Sequence, residues 1–151
     1  MNHVNIEIIT VVDTLPLRQQ ILRPHQALSE CVYKGDDLDS TVHFAAIEDD
    51  EIIGIMSLYQ RNCLELGSTN GMQLRAMATA IHSRGQGIGF KLLAAAESHA
   101  QKIHTQYIWA NARVEAINFY KKSAYTINPQ QFEIKGVGPH QLVSKLIFVK
   151  E

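Results

Sequence analysis

Cysteine is scarce in this chain of 151 residues: there are two, Cys31 and Cys63. They stand far apart and form no C-x-x-C pair. That spacing excludes a disulfide scaffold and a cysteine-based metal knuckle, and free thiols in a reducing cytosol are expected. A secreted protein with one disulfide is the alternative. Long apolar runs are also missing. No stretch approaches the roughly 20 apolar residues that span a bilayer. From Met1 to Glu7 no basic segment leads into an apolar one, so no signal peptide is expected and the location expected is cytoplasmic. An excess of charge of either sign is absent too, with a formal net charge of -1. The expected partners therefore include neither nucleic acid nor an anionic membrane.

What the chain does have is apolar content. A hydrophobic fraction of 46% against 19% charged residues suits a folded domain rather than disorder. The length suits one domain, taken here as residues 1–151, able to bury a core without disulfides or metal.

Periodicity divides the chain. Val4, Ile6 and Ile8 alternate with polar residues, the pattern of a half-buried strand. Leu15, Leu17, Ile21 and Leu22 then recur at helical spacing, and Pro24 limits that helix to about Arg23. The polar stretch from His25 to Ser40 reads as a loop with a short helix around Ser29 to Val32. Val42 to Glu48 and Ile52 to Gln60 flank Asp49-Asp50-Glu51 as a hairpin. A turn at Ser68-Thr69-Asn70-Gly71 leads to a strand at Gln73 to Thr79. From Ile88 the apolar stripe Leu92, Leu93, Ala96, Ala100 and Ile103 marks an amphipathic helix. A strand at Gln106 to Ala110 and a helix at Val114 to Lys122 follow. Gly136, Gly138 and Pro139 mark a turn, and Leu142 to Val149 closes the chain as a strand. Consecutive strands before the second helix break βαβ alternation. The expected class is α+β, a mixed fold with a mostly antiparallel sheet of six to seven strands flanked by helices.

The chemical signal lies between strand Gln73 to Thr79 and the helix from Ile88. Gly85, Gly87 and Gly89 alternate in Arg84-Gly85-Gln86-Gly87-Ile88-Gly89-Phe90, where a backbone can approach a ligand closely. The N–H groups of the first helical turn, with the helix dipole, form an anion site. Arg84 adds a charge-assisted contact to phosphate. The Walker pattern is excluded because Gly89-Phe90-Lys91 lacks its ending, and the G-x-G-x-G spacing is not the dinucleotide G-x-G-x-x-G. Taken alone, the loop also fits a tight turn with no ligand.

With the strand before it and the helix after it, R-x-x-G-x-G (Arg84, Gly87, Gly89) resembles the coenzyme A pyrophosphate motif of the GNAT superfamily of N-acyltransferases. Leu74 to Thr79 resembles that family's fourth strand, and Ala116-Ile117-Asn118-Phe119-Tyr120-Lys121-Lys122 resembles its A-x-x-F-Y-x-K element. The resemblance covers nearly the whole chain. Leu22-Arg23-Pro24, Gly35-Asp36-Asp37 and Gly138-Pro139-His140 resemble a branch of small bacterial members, ElaA-like proteins among them. The family often has Pro-Glu or Pro-Asp where this chain has Ile81-His82-Ser83, and Gly-Phe where it has Ala124-Tyr125. Many members also use a glutamate on the fourth strand as general base. Gln73 to Thr79 carries no carboxylate, so the base is unassigned.

The resemblance implies acetyl transfer from acetyl-CoA to an amine of a small molecule or peptide, with no metal. It assigns the loop from Arg84 through Gly85, Gln86, Gly87, Ile88 and Gly89 to Phe90 to the pyrophosphate. The backbone of Met77, Ala78 and Thr79 takes the pantetheine arm by strand-like pairing, and a strand N–H near Met77 polarises the thioester carbonyl. It places the Tyr120 hydroxyl near the sulfur as general acid, since a phenol with a pKa of about 10 stays protonated at neutral pH. A packed core aromatic on the Phe119-Tyr120 stripe is the competing reading. Asn111 is a pantetheine contact or a helix cap. Lys122, with Lys121, meets nucleotide phosphates or complements its helix dipole. His140 is a base or acceptor-site residue, or a turn histidine beside Pro139. Asp36, Asp37 and Asp39 attract a cationic amine or form a solvated loop. A homodimer is a family expectation. A non-catalytic acyl-CoA sensor is the alternative function, because a fold does not fix its chemistry.

Overall fold

A computed structural model describes residues 3–67 and 70–149. The turn expected at Ser68 and Thr69 and the first two residues of the amino terminus lie outside the described residues. Seven strands are hydrogen-bonded in the order β1-β2-β3-β4-β5-β7-β6, mostly antiparallel, with helices flanking the sheet, as the sequence leads one to expect. The chain divides into two compact units, Met1–Gln60 with Leu74–His99, and Arg61–Gln73 with Ala100–Glu151.

In the first unit, β1 (Asn5–Ile9) pairs antiparallel with β2 (Val42–Glu48), and β2 with β3 (Glu51–Gln60). Asp49 and Asp50 make the hairpin turn with φ of 51° and 62°, the left-handed pair of a type I′ turn. β3 is buried without a break from Ile53 to Tyr59, so both its faces are covered. A period of two divides those faces. Gly54 meets α2 (Ile88–Lys102), and a Cβ there would lie 2.6 Å from Ile88 Cγ2 and 3.2 Å from Leu92 Cδ1. Ser57 and Tyr59 face the other way and bond Arg18.

Arg18 follows α1 (Val11–Leu17), which starts earlier than the apolar spacing suggests and contains Pro16. Proline removes an intrahelical donor. The chain then widens to a π-turn over Arg18–Leu22, closed by the Arg23 N–H on the Arg18 carbonyl at 3.0 Å. The loop expected from His25 holds a 3-10 turn at Leu28–Cys31.

In the second unit, the first residues of β4 (Gly71–Thr79) run parallel to β5 (Tyr107–Arg113), with Gly71 opposite Tyr107 and Gln73 opposite Trp109. Only glycine fits at 71, since a Cβ would stand 2.4 Å from the Tyr107 ring. β5 pairs antiparallel with β7 (Gly138–Leu146), and β7 with β6 (Thr126–Ile134). Gly138 and Pro139 belong to β7 rather than to a turn, because β6 pairs with them as Ile134↔Gly138 and Glu133↔Pro139. Proline is tolerated near the start of a strand, where its missing N–H costs little. Cys63, Tyr107, Trp109 and Leu142 form a small core here. A 3-10 turn at Val114–Ala116 leads into α3 (Ile117–Lys122).

Candidate active site

β4 ends at Thr79, and the chain is tied down at once by the Ala80 N–H on the Ile53 carbonyl at 2.8 Å. A 3-10 turn at Ile81–Ser83 follows, with Ser83 buried and Arg84 exposed. Gly85 and Gly87 then adopt φ of 79° and 76°, which L side chains rarely take. A Cβ on either would meet nothing within 4 Å, so both glycines open onto space. Ile88 is buried against Gly54 and anchors the helix start. The Lys91 N–H bonds the Gly87 carbonyl at 3.1 Å, the first bond of α2. The N–H groups of Gly87, Ile88 and Gly89 precede that bond and have no helical acceptor. No acidic residue stands in the first turn to occupy them. Gln86 and Phe90 are exposed and Gly89 half-buried. This loop can therefore hold a diphosphate by backbone donors, helix dipole and Arg84.

Upstream, Ala78 is buried while Met77 and Thr79 are half-buried. Ala76, just before them, has φ of 58° and breaks the regular pleat of β4. A left-handed residue within a strand is the backbone form of a bulge, which re-aims the groups around it. Met77, Ala78, Thr79 and the loop thus lie consecutively in the first unit, as the sequence order requires.

Tyr120, Phe119, Asn111, Lys122 and His140 belong to the second unit. The Tyr120 ring is 5% exposed and packs edge-to-face on Phe119 and Tyr125 at 5.1 and 5.3 Å. Its hydroxyl bonds no group among the described residues, and burial pushes its pKa above the ordinary tyrosine value. It is a neutral donor at physiological pH. This packing is what the core-aromatic reading expects, and it also keeps the phenol protonated.

α3 ends in a Schellman arrangement: the Tyr125 N–H bonds the Tyr120 carbonyl and the Ala124 N–H the Lys121 carbonyl, both at 3.0 Å. Ala124 has φ of 67°, so the alanine in place of the family's glycine occupies a left-handed position. Lys122 is exposed in the last turn.

His140 is buried on β7, not placed in a turn. Its Nδ1 lies 2.7 Å from the Gly138 carbonyl, and its ring stacks on Phe132 at 6.0 Å. Asn111 is exposed opposite Leu142 in the β5–β7 ladder. It lines a cavity of about 450 Å³ with Cys63, Glu65, Trp109, Asn128 and Phe132. Glu65 accepts a hydrogen bond from the Cys63 thiol at 3.1 Å, and burial together with that bond pushes the thiol pKa up. Sequence reasoning missed this cavity, since its lining comes from four separated segments.

The acidic loop is corrected in part. Asp37 and Asp39 are exposed, but Asp36 is buried and not available to a cationic amine. Its carboxylate takes Arg18 in a two-pronged ion pair at 2.7 and 3.0 Å, with 0% and 1% of the two side chains exposed. The Tyr33 N–H and the Tyr59 hydroxyl also donate to it. Burial favours the acid, yet the Arg18 and Tyr59 hydrogen bonds hold its pKa below the usual carboxylate value. Burial and the Asp36 bond push Tyr59 up to about 12. His43 closes the network, with Nδ1 2.6 Å from Ser57 Oγ and Nε2 2.9 Å from the Asp36 carbonyl. Among the described residues no group of histidines, cysteines and carboxylates could hold a metal ion, and no helix is long and apolar enough to cross a membrane.

Comparison with known proteins identifies this arrangement. The acetyltransferase (GNAT) family model matches residues 13–125. An uncharacterized N-acetyltransferase, YitI, of Bacillus subtilis (strain 168) is 32% identical over 142 residues, 94% of this chain and 95% of that protein. An aminoglycoside 6'-N-acetyltransferase complexed with coenzyme A has the same fold, with a TM-score of 0.77 at 14% identity over 97% of this chain and 99% of that one. NAA60 of Arabidopsis thaliana in complex with acetyl-CoA has a TM-score of 0.74 at 14% identity, over 96% and 99%. The glycine loop after β4, the open helix start and the matched relatives lead to one conclusion: this chain belongs to the GNAT acetyltransferase family and is an acyltransferase.

Proposed function

We propose that this enzyme moves an acetyl group from acetyl-CoA directly to an amine of a small molecule or peptide. The observation that carries the reading is the loop from Arg84 to Phe90. It presents N–H groups that precede the first helical bond and two left-handed glycines opening onto space, with an exposed arginine beside them. The fit to a diphosphate is chemical: donors and positive charge are present, and no carboxylate of the first turn competes.

In this reading the backbone of Met77, Ala78 and Thr79 aligns the pantetheine arm. An N–H near Met77 favours the charge that develops on the carbonyl oxygen. The amine attacks the thioester carbon and loses a proton, the carbon–sulfur bond breaks, and the sulfur leaves. Tyr120 donates to that sulfur. Holding the two reactants in line supplies much of the rate. Asn111, near the end of its strand, is a candidate contact for the pantetheine amides, and Lys122 a candidate contact for the nucleotide phosphates. His140 remains a base candidate, although its Nδ1 is turned to the Gly138 carbonyl.

Thiol release from acetyl-CoA across an amine panel, with the Arg84→Ala variant alongside, tests the reading. Arg84→Ala is expected to raise the KM for acetyl-CoA about tenfold, the worth of one lost charge-assisted contact. Saturable coenzyme A binding without thiol release from any amine would favour the sensor. An unchanged KM in the variant removes Arg84 from the site.

A further inference from the structure

Three arginines converge on one tyrosine ring in the first unit. The guanidinium carbons of Arg18, Arg23 and Arg75 lie 4.5, 5.0 and 5.0 Å from the Tyr33 ring centroid. Their charges are not balanced alike. Arg18 is buried and neutralised by Asp36. Arg23 donates to the Tyr33 hydroxyl and to Gln26 Oε1, both at 3.1 Å and both neutral acceptors. Arg75 lies over Tyr33 and also over Tyr59 at 5.7 Å, and no hydrogen bond or ion pair holds it among the described residues. Arg23, Arg75 and Tyr33 are all half-buried.

Stacking on an aromatic ring fixes the plane of a guanidinium and leaves its edge donors free. Two like charges, each 5.0 Å from one ring centroid and neither in an ion pair among the described residues, repel each other, and an anion reached by both would relieve that repulsion. A planar oxyanion matches the guanidinium fork best. We propose that Arg75 and Arg23 bind a carboxylate of the amine acceptor, so that the acceptor class is an amino acid or a peptide presenting a free carboxylate. The proposal rests on the acetyl-transfer reading. It deepens that reading through the order of residues along β4. Arg75 precedes Met77 by two residues, across the left-handed Ala76, whereas the glycine loop follows Thr79. In that reading Arg75 stands at the acyl end of the pantetheine track, on the opposite side of Met77 to Thr79 and the glycine loop in chain order.

The experiment compares free amino acids and short peptides with their carboxamides as acceptors, by thiol release, in the wild type, Arg75→Gln, Arg75→Lys and Arg23→Gln. The expected result is a preference for acid over amide of about ten- to a hundredfold, the range of a charge-assisted pair. Arg75→Gln is expected to abolish that preference through the acceptor KM, with the acetyl-CoA KM unchanged, and Arg75→Lys to restore part of it. Equal turnover of acid and amide overturns the inference and leaves acetyl transfer standing. A rise in the acetyl-CoA KM of Arg75→Gln, with the preference intact, also overturns it, because the anion bound is then a cofactor phosphate. A second measurement does not need catalysis. N-acetylated amino acids and their carboxamides are titrated onto the intact protein with coenzyme A, and the arginine side-chain NMR resonances are followed. Shifts of the Arg75 and Arg23 signals with the acids alone support the site. Their absence overturns it whether or not transfer is detected.

Discussion

Replacing Asp36 by alanine strands a charge that has no route to water. The Arg18 side chain is 0% exposed and its partner 1%. The substitution removes two charge-assisted hydrogen bonds of 2.7 and 3.0 Å. It also takes the acceptor from the Tyr33 N–H and the Tyr59 hydroxyl. Removing one member of a buried pair costs roughly 3–5 kcal/mol, mostly the desolvation of the ion left behind. A whole domain is stable by only about 5–15 kcal/mol, so Asp36→Ala removes roughly a fifth or more of the total. At about 2–4 °C per kcal/mol for a chain of this size, the melting temperature is expected to fall by roughly 6–20 °C. Urea unfolding and calorimetry read the loss directly. The double variant Arg18→Met with Asp36→Leu is expected to lose much less, because it removes both charges together.

The same carboxylate fixes an acid dependence. Its folded pKa is depressed. The stability it contributes is complete above the unfolded value of about 3.9 and disappears as the pH falls from there through the lower folded value. The gap between wild type and Asp36→Ala therefore narrows in that acid range and not above it. A loss below about 1 kcal/mol at neutral pH, the worth of an exposed pair, would refute the claim that this pair is sealed from solvent.

Three further outcomes follow from single contacts. Tyr120→Phe is expected to lower kcat tenfold or more while the melting temperature stays close to wild type, because its hydroxyl bonds no described residue; unchanged kcat with a turned-over amine removes Tyr120 as the acid. Gly54→Ala forces a Cβ to 2.6 Å from Ile88 Cγ2; it is expected to cost about 1–3 kcal/mol and, by shifting the start of α2, to raise the acetyl-CoA KM, both measurable on one preparation. Ala124→Gly relieves a left-handed alanine at φ 67°; a gain of about 1 kcal/mol in urea unfolding is expected, and a loss would mean that the alanine side chain packs favourably.

The strands and helices were largely legible because their signals are local. The type I′ turn is marked by Asp49-Asp50 between two apolar runs, and α2 by an apolar stripe opening on glycines. The start of α1 was not legible, since Pro16 obscures a helix that begins at Val11 and widens at Arg18. Gly138 and Pro139 carry turn chemistry but sit in a strand, because pairing with β6 overrides local preference. The open turn at Gly85 and Gly87 was legible for the same reason as α2: its glycines set the backbone at one place in the chain.

Sequence alone therefore determined the family, the glycine-rich turn from Arg84 to Phe90 and the strand before it, all contiguous segments whose signals depend on spacing. Only the tertiary structure decided which charges are spent and which are free. In sequence Asp36 reads as one more acid of a polar loop, and Arg18, Arg23 and Arg75 are equivalent cations. Folding buries Asp36 against Arg18 and leaves Arg23 and Arg75 over Tyr33 with no ion pair among the described residues. Pairing across eighteen and more residues is set by packing, and no local pattern encodes it.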